Sequence, residues 1–240
     1  MSLDLGVLVN RMKDIKENWA DSSFSVVESD DGLSVFDEEN VSSDAWREKY
    51  LSKNITSCSW ELILNEIGHQ GHTNIFQIDK VFSNRYCKEL ILEAEASNSW
   101  TEKRHDNYPT TDMLLSSFGA NLAYENVLRK YMYPMIVDRW RLEGPRWNSL
   151  VGENFIIKYE SIGQAALELH HDSSDFTILT ALNDDFEGGG TWFHNQKILV
   201  KNPVGGVTFH PGAITHLHGG RPVSSGVRYI IVSFCRCEND

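Results

Sequence analysis

The stretch NFIIKYESIGQAALELHHDSSDFTILTALN, residues 154–183, carries two strand-length runs, NFIIKYE and DFTILTALN, on either side of a polar segment. Both runs are rich in β-branched and aromatic residues and are bounded by turn formers, so they read as strands of an antiparallel sheet. The rhythm continues downstream with KILVKN (197–202), GVTFHP (206–211) and RYIIVSF (228–234). Short strands in such succession predict a sandwich or jelly roll. Within the polar segment stand His170, His171 and Asp172. Side chains alternate along an extended backbone, so His170 and Asp172 share one side and His171 faces the other.

Upstream the texture is helical. NRYCKELILEAEASNSW (84–100) places Cys87, Leu90, Ile91 and Ala94 on one face, after a short strand and turn in TNIFQIDKVFS (73–83). NLAYENVLRKYMYPMIVDRW (121–140) is a second helical pattern, ended or kinked near Pro134. The first twenty residues read as an amphipathic helix rather than a secretory signal. No apolar run has the length that spans a bilayer. The expected plan is mainly β: a double-stranded β-helix, or jelly-roll, core in residues 73–240, buttressed by helices. Residues 1–72 are expected to form an N-terminal extension of helix plus acidic loop.

Of the 240 residues, 41% are hydrophobic and 23% charged, the composition of a folded domain. The net charge of −12 is unevenly placed: Asp21 to Glu48 holds nine acidic residues against one basic, Arg47. That Ser/Asp/Glu-rich stretch reads as a loop or solvated extension. Nothing here neutralises phosphates, which excludes a nucleic-acid partner, while a basic peptide is compatible. Cys58, Cys87, Cys235 and Cys237 are too few and too scattered for a disulfide scaffold, and Cys235 and Cys237 share one strand face. Asn40 and Asn54 head glycosylation sequons, which matter only in a secretory compartment.

The third partner for His170 and Asp172 is sought among His210, His216 and His218. Ten residues past His218, Arg228 opens a strand whose same-face successors are Ile230, Val232 and Phe234. A guanidinium on an apolar face needs either an anion or a route to water at the rim. Two histidines and one carboxylate on a β scaffold form the facial triad of non-haem Fe(II) oxygenases. A 2-oxoglutarate molecule that chelates the iron and pairs with Arg228 accounts for both features. The glycines of FEGGGTWF (186–193) read as a tight strand connection, since no Lys-Ser/Thr and no helix follow as a phosphate loop requires.

In order, HHDSSDFTILTALN, FEGGGTWF and HPGAITHLHGGRPVSSGVRYIIVSF, with YPTTDMLL and NFIIKY upstream, resemble the catalytic domain of the procollagen lysyl hydroxylases. These belong to the prolyl/lysyl hydroxylase group of 2-oxoglutarate and Fe(II) dependent dioxygenases. The resemblance begins at about Thr73 and covers roughly two-thirds of the chain. It implies His170, Asp172 and His218 as iron ligands, His218 being preferred to His216 by its spacing to Arg228. It further implies Arg228 as the 2-oxoglutarate anchor and Tyr159 as the hydroxyl that hydrogen-bonds the cosubstrate. His216 is then expected nearby or in the packing, and Arg104 offers a further anion contact. The implied reaction hydroxylates a peptidyl residue, lysine in collagen-like peptides, while 2-oxoglutarate is oxidatively decarboxylated to succinate. Dioxygen is the co-reactant, ascorbate an accessory, and a homodimer and residence in the endoplasmic reticulum are implied as well. The alternatives are a prolyl hydroxylase-type dioxygenase, or a jelly-roll module that binds metal or peptide without catalysis. This sequence departs from the family at Leu217 and Gly219, in place of Tyr and Glu. It departs also at Ala213 and Trp192, in place of arginines, and at Leu179, in place of an asparagine that helps hold the cosubstrate.

Overall fold

Alternation between two sheets organises the chain. The computed structural model describes residues 32–68, 72–105, 107–212 and 214–237; the expected helix of the first twenty residues and Ala213 lie outside the described residues. In chain order the strands are β1 (Asn65–Glu66), β2 (Phe76–Ile78), β3 (Thr111–Leu114), β4 (Leu150–Glu160), β5 (Leu167–His170), β6 (Phe176–Ala181) and β7 (Glu187–Gly188). There follow β8 (Thr191–Phe193), β9 (Ile198–Val200), β10 (Val207–Pro211), β11 (His218–Gly220), β12 (Val223–Ser225) and β13 (Val227–Cys237). The larger sheet has the order β1-β2-β10-β6-β13-β4-β3 and the smaller β5-β11-β8-β9, while β7 and β12 pair apart. From β4 onward the chain crosses from one sheet to the other: β4, β6, β10 and β13 lie in the larger, β5, β8, β9 and β11 in the smaller. That winding is the jelly roll expected from the sequence.

β4 and β13 run antiparallel from Leu150 opposite Cys237 to Glu160 opposite Val227. Their inward residues Phe155, Ile157, Tyr159, Ile230 and Val232 meet Leu179 of β6 in one buried cluster. Cys235 and Cys237 are both buried on β13 and all four cysteines are free. No helix among the described residues is long and apolar enough to cross a membrane.

The helices are α1 (Asp44–Tyr50), α2 (Lys53–Ser57), α3 (Trp60–Ile63), α4 (Asn84–Ser97), α5 (Asn121–Val127) and α6 (Tyr133–Arg139). Helix α4 buries Tyr86, Cys87, Leu90, Ile91 and Ala94, the face its spacing predicts. The Ser83 hydroxyl accepts from the Tyr86 N–H to start it, and Asn98 in the left-handed region ends it. The kink expected near Pro134 takes the form of a π-helical turn, Leu128–Met132, between α5 and α6. Proline has no N–H to give and crowds the carbonyl four residues back, and the wider turn relieves both.

The acidic stretch requires a correction. Its second half is no loop: Glu39–Ser42 forms a 3-10 turn and α1 follows at once. Asp44 and Glu48 face solvent, but Trp46 and Tyr50, four residues apart, are wholly buried. Their rings lie 6.3 and 6.0 Å from that of Tyr86 in α4. The Trp46 indole N–H donates to the Ser34 carbonyl at 3.0 Å and the Tyr50 hydroxyl to Glu89 at 2.7 Å. A short helix can therefore be acidic outside and aromatic inside, and only the outside dominates a charge count.

Candidate metal centre

His170 ends β5, His218 begins β11, and the two are directly opposite each other in the β5–β11 pairing. That register brings the imidazole centroids to 4.6 Å. Asp172 lies just past β5, with its Oδ1 3.3 Å from His170 Nε2 and its Oδ2 3.4 Å from His218 Nε2. One potential ligand atom from each of the three lies within 4.8 Å of the others. His171 is exposed and outside this cluster, as alternation predicts.

The far side of each ring is anchored. His170 Nδ1 lies 2.8 Å from the Glu168 carbonyl and His218 Nδ1 2.8 Å from the His216 carbonyl. A carbonyl can only accept, so each Nδ1 carries the proton and each Nε2 lone pair is left facing Asp172. The Thr177 hydroxyl donates to Asp172 Oδ2 at 2.6 Å and is itself 2.9 Å from the Ser174 hydroxyl. Burial alone would raise the Asp172 carboxyl, yet His218 and His170 hold it well below the usual carboxylate range. Burial holds His218 below the ordinary imidazole value despite the charge of Asp172. At His170 burial acts in the same sense, but the hydrogen bond and charge of Asp172 outweigh it and leave the pKa raised. A buried carboxylate facing two imidazole lone pairs suits a divalent cation of intermediate softness, iron(II) among them.

His216 and His210 stand outside the cluster. His216 Nε2 lies 2.9 Å from the Thr73 carbonyl, which ties the β10–β11 connection to the segment before β2. His210 is fully buried, edge-on to His218 with centroids 4.9 Å apart.

A cavity of about 330 Å³ extends from the three residues into the barrel. Arg228 and Tyr159, opposite each other on β13 and β4, line it, with the guanidinium 5.5 Å from the ring centroid. Arg228 is 8% exposed, and among the described residues its hydrogen-bond acceptors are neutral oxygens, the Gly190 carbonyl and the Thr191 hydroxyl, both at 3.4 Å. Burial lowers its pKa, and burial pushes the Tyr159 phenol up to about 12 although Arg228 pulls it down. Leu179 adds an apolar wall. Gly188, Gly189 and Gly190 all take positive φ, at 80°, 59° and 99°. A Cβ on Gly189 would stand 2.7 Å from the Phe186 ring and 3.1 Å from Arg228 Cδ, so this tight connection is moulded to the arginine stem.

Arg104, His105, Tyr108, Phe155 and Phe234 line the same cavity. The Arg104 guanidinium lies 4.7 Å over Phe155 and donates to Asp112 at 2.9 Å and Glu153 at 2.6 Å. Its anion contact is thus with the protein's own carboxylates. The Tyr108 ring packs 5.1 Å from that of His170. Sequence reading passed over Thr177 and gave Tyr108, the head of YPTTDMLL, no role. A hydroxyl at the second position of a strand that follows H-x-D is a usable signal for the first; the second has none.

No protein-family model matches the chain. Among curated proteins it is 33% identical over 202 residues to mouse procollagen-lysine,2-oxoglutarate 5-dioxygenase 2, covering 79% of this chain and 26% of that protein. It is 32% identical to the human multifunctional procollagen lysine hydroxylase and glycosyltransferase LH3, with 79% and 27% covered. The chain therefore spans about a quarter of the length of these relatives. Among solved structures, the viral collagen prolyl hydroxylase of Paramecium Bursaria Chlorella virus-1, a 2OG complex, superposes with a TM-score of 0.52 at 20% identity, covering 71% of this chain and 99% of that one. A Trichoplax adhaerens prolyl hydroxylase in complex with a hypoxia inducible factor peptide gives 0.53 at 13% identity, with 70% and 86% covered. The fold is that of the 2-oxoglutarate and Fe(II) dependent dioxygenases. Within that class, the chain is related by sequence to the procollagen lysyl hydroxylases.

Proposed function

We propose that the chain is a peptidyl hydroxylase that uses iron(II) and 2-oxoglutarate, with lysine in collagen-like peptides as the target. One observation carries the reading: a three-ligand cluster and a buried guanidinium without an acidic partner among the described residues line a single cavity. In this reading His170, Asp172 and His218 hold the metal, and Arg228 takes the distal carboxylate of 2-oxoglutarate with Tyr159 beside it. Iron(II) bound there supplies the oxygen chemistry: 2-oxoglutarate, dioxygen and a C–H bond become succinate, carbon dioxide and a C–OH. The protein's own part is to fix three donors, exclude water with the Phe155, Ile157, Ile230 and Val232 walls, and orient the cosubstrate by its charge. Ascorbate is the accessory reductant implied by the relatives. Residues 73–240 are the oxygenase domain and residues 1–72 its extension, of which Trp46 and Tyr50 pack on α4 while Asn65–Glu66 adds the edge strand β1 to the larger sheet.

The lysine target is supported by the names of the sequence relatives, and a prolyl target by those of the structural ones. The test is to incubate the full chain with Fe(II), 2-oxoglutarate, ascorbate and Gly-X-Lys or proline-rich peptides, then to follow succinate and locate added oxygen by mass spectrometry. One oxygen on lysine is the expected result. Oxygen on proline shifts the target alone, and absence of succinate with every peptide overturns the enzyme reading in favour of a binding module.

A further inference from the structure

We infer that Tyr108 is the specificity-determining residue that seats the substrate's lysine, with the ring face against its aliphatic stem and ammonium. The inference rests on the peptidyl-lysine reading above. Tyr108 lines the cavity of the three metal-site residues, its ring 5.1 Å from the His170 imidazole, yet it remains 39% exposed. A half-exposed aromatic beside the metal site is therefore open to a substrate entering the cavity.

Its backbone is held in place. The Gln164 side-chain amide donates to the Pro109 carbonyl while its oxygen accepts from the Thr111 N–H. Thr101 and Asp112 exchange two backbone hydrogen bonds at 2.9 Å, closing the loop that bears Tyr108. A ring with two torsions on a fixed backbone makes contact at little cost in conformational freedom.

Charge on the guest adds to the ring contact. Arg104, which lines the same cavity, has its own charge offset by Asp112 at 2.9 Å and Glu153 at 2.6 Å, and neither carboxylate lines the cavity. Lysine combines an apolar stem with a cationic head, and an aromatic face satisfies both. A prolyl ring would pack on the same face but brings no cation to it.

The experiment compares wild type, Tyr108→Phe and Tyr108→Leu of the full chain on a Gly-X-Lys peptide and on the same peptide with the lysine acetylated. Succinate formation gives KM and kcat, fluorescence anisotropy gives peptide binding to the metal-free protein, and thermal shift gives 2-oxoglutarate binding. Tyr108→Phe, which keeps the ring, is expected within about twofold of wild type, whereas Tyr108→Leu raises KM and Kd for the lysine peptide by about tenfold. Binding of 2-oxoglutarate stays unchanged in both, and acetylation abolishes the difference between wild type and Tyr108→Leu. Equal lysine-peptide binding by wild type and Tyr108→Leu, or a Tyr108→Phe as weak as Tyr108→Leu, overturns the assignment. Wild type that oxidises proline and ignores lysine overturns it while sparing the oxygenase reading, and wild type without succinate on any peptide removes both.

Discussion

Arg228→Met separates what the guanidinium does for the fold from what it does for a ligand. In the protein as described, the charge meets two neutral oxygens at 3.4 Å and one aromatic face. A buried charge so weakly partnered is unfavourable, and replacing buried ionic groups by apolar ones of like volume is often neutral or stabilising by about 1–4 kcal/mol. Loss of the contact with Tyr159 takes back about 0.5–1 kcal/mol. At about 2–4 °C per kcal/mol for a chain of this size, the variant is expected to melt at the wild-type temperature or up to about 10 °C above it. Ligand binding moves the other way. Truncating one partner of a buried charge pair costs about 2–5 kcal/mol, which weakens 2-oxoglutarate by about 30-fold to several thousandfold. Thermal melts with and without 2-oxoglutarate read both effects. Wild type at about 100 times its Kd gains about 2.7 kcal/mol, or roughly 5–10 °C, and Arg228→Met at the same concentration gains at most about 0.9 kcal/mol, or roughly 2–3 °C. A variant that melts well below wild type and still responds fully to 2-oxoglutarate would refute the reasoning, because Arg228 would then be a structural cation.

Thr177→Val keeps the shape of β6 but strips Asp172 of its hydroxyl partner at 2.6 Å, so metal affinity is expected to fall by about 10–100-fold, measured by titration with Fe(II) or Co(II). Asp172→Ala, by contrast, should leave no stoichiometric metal at all, checked by elemental analysis. Metal affinity should also fall as the medium is acidified. His170 is the ligand whose pKa is raised, so it takes up the first proton and ceases to be a donor; affinity then drops by about tenfold per pH unit from a point above the free-imidazole value of about 6.5 downward. Unchanged occupancy about two units lower contradicts the ligand set. Trp46→Ala is expected to remove about 3–5 kcal/mol of stability in a urea titration, since the indole is wholly buried and hydrogen-bonded to Ser34. A loss under about 1 kcal/mol would show that this segment is dispensable to the fold.

The barrel was legible because much of its evidence is local: NFIIKYE, DFTILTALN, KILVKN, GVTFHP and RYIIVSF are strand-length runs rich in β-branched and aromatic residues and separated by Gly, Asn, Asp and Pro. The side that His170 and Asp172 share, and the inward setting of Arg228, follow from the same alternation. The choice of His218 over His216 and His210 needed the family's spacing, because all three are buried and only tertiary pairing of β11 with β5 separates them. Residues 39–50 were misread as loop because carboxylates outnumber the two aromatic residues that decide their fate. Tyr108 opens the YPTTDMLL stretch of the resemblance, but its place beside His170 could not be read, since the two lie 62 positions apart and no periodicity links them.

The triple glycine turn carries an evolutionary consequence. With its Cβ position 2.7 Å from the Phe186 ring and 3.1 Å from the stem of Arg228, Gly189 admits a side chain only if the ring moves and the arginine gives by a few tenths of an ångström. A saturation library across 188–190 should therefore be depleted of stable variants at all three positions, each of which combines a positive φ with a crowded Cβ site. Attempts to fit the proposed site to a shorter or uncharged oxoacid should pair a substitution at 189 with one at 228, since shortening the arginine is what opens room on that side of Gly189.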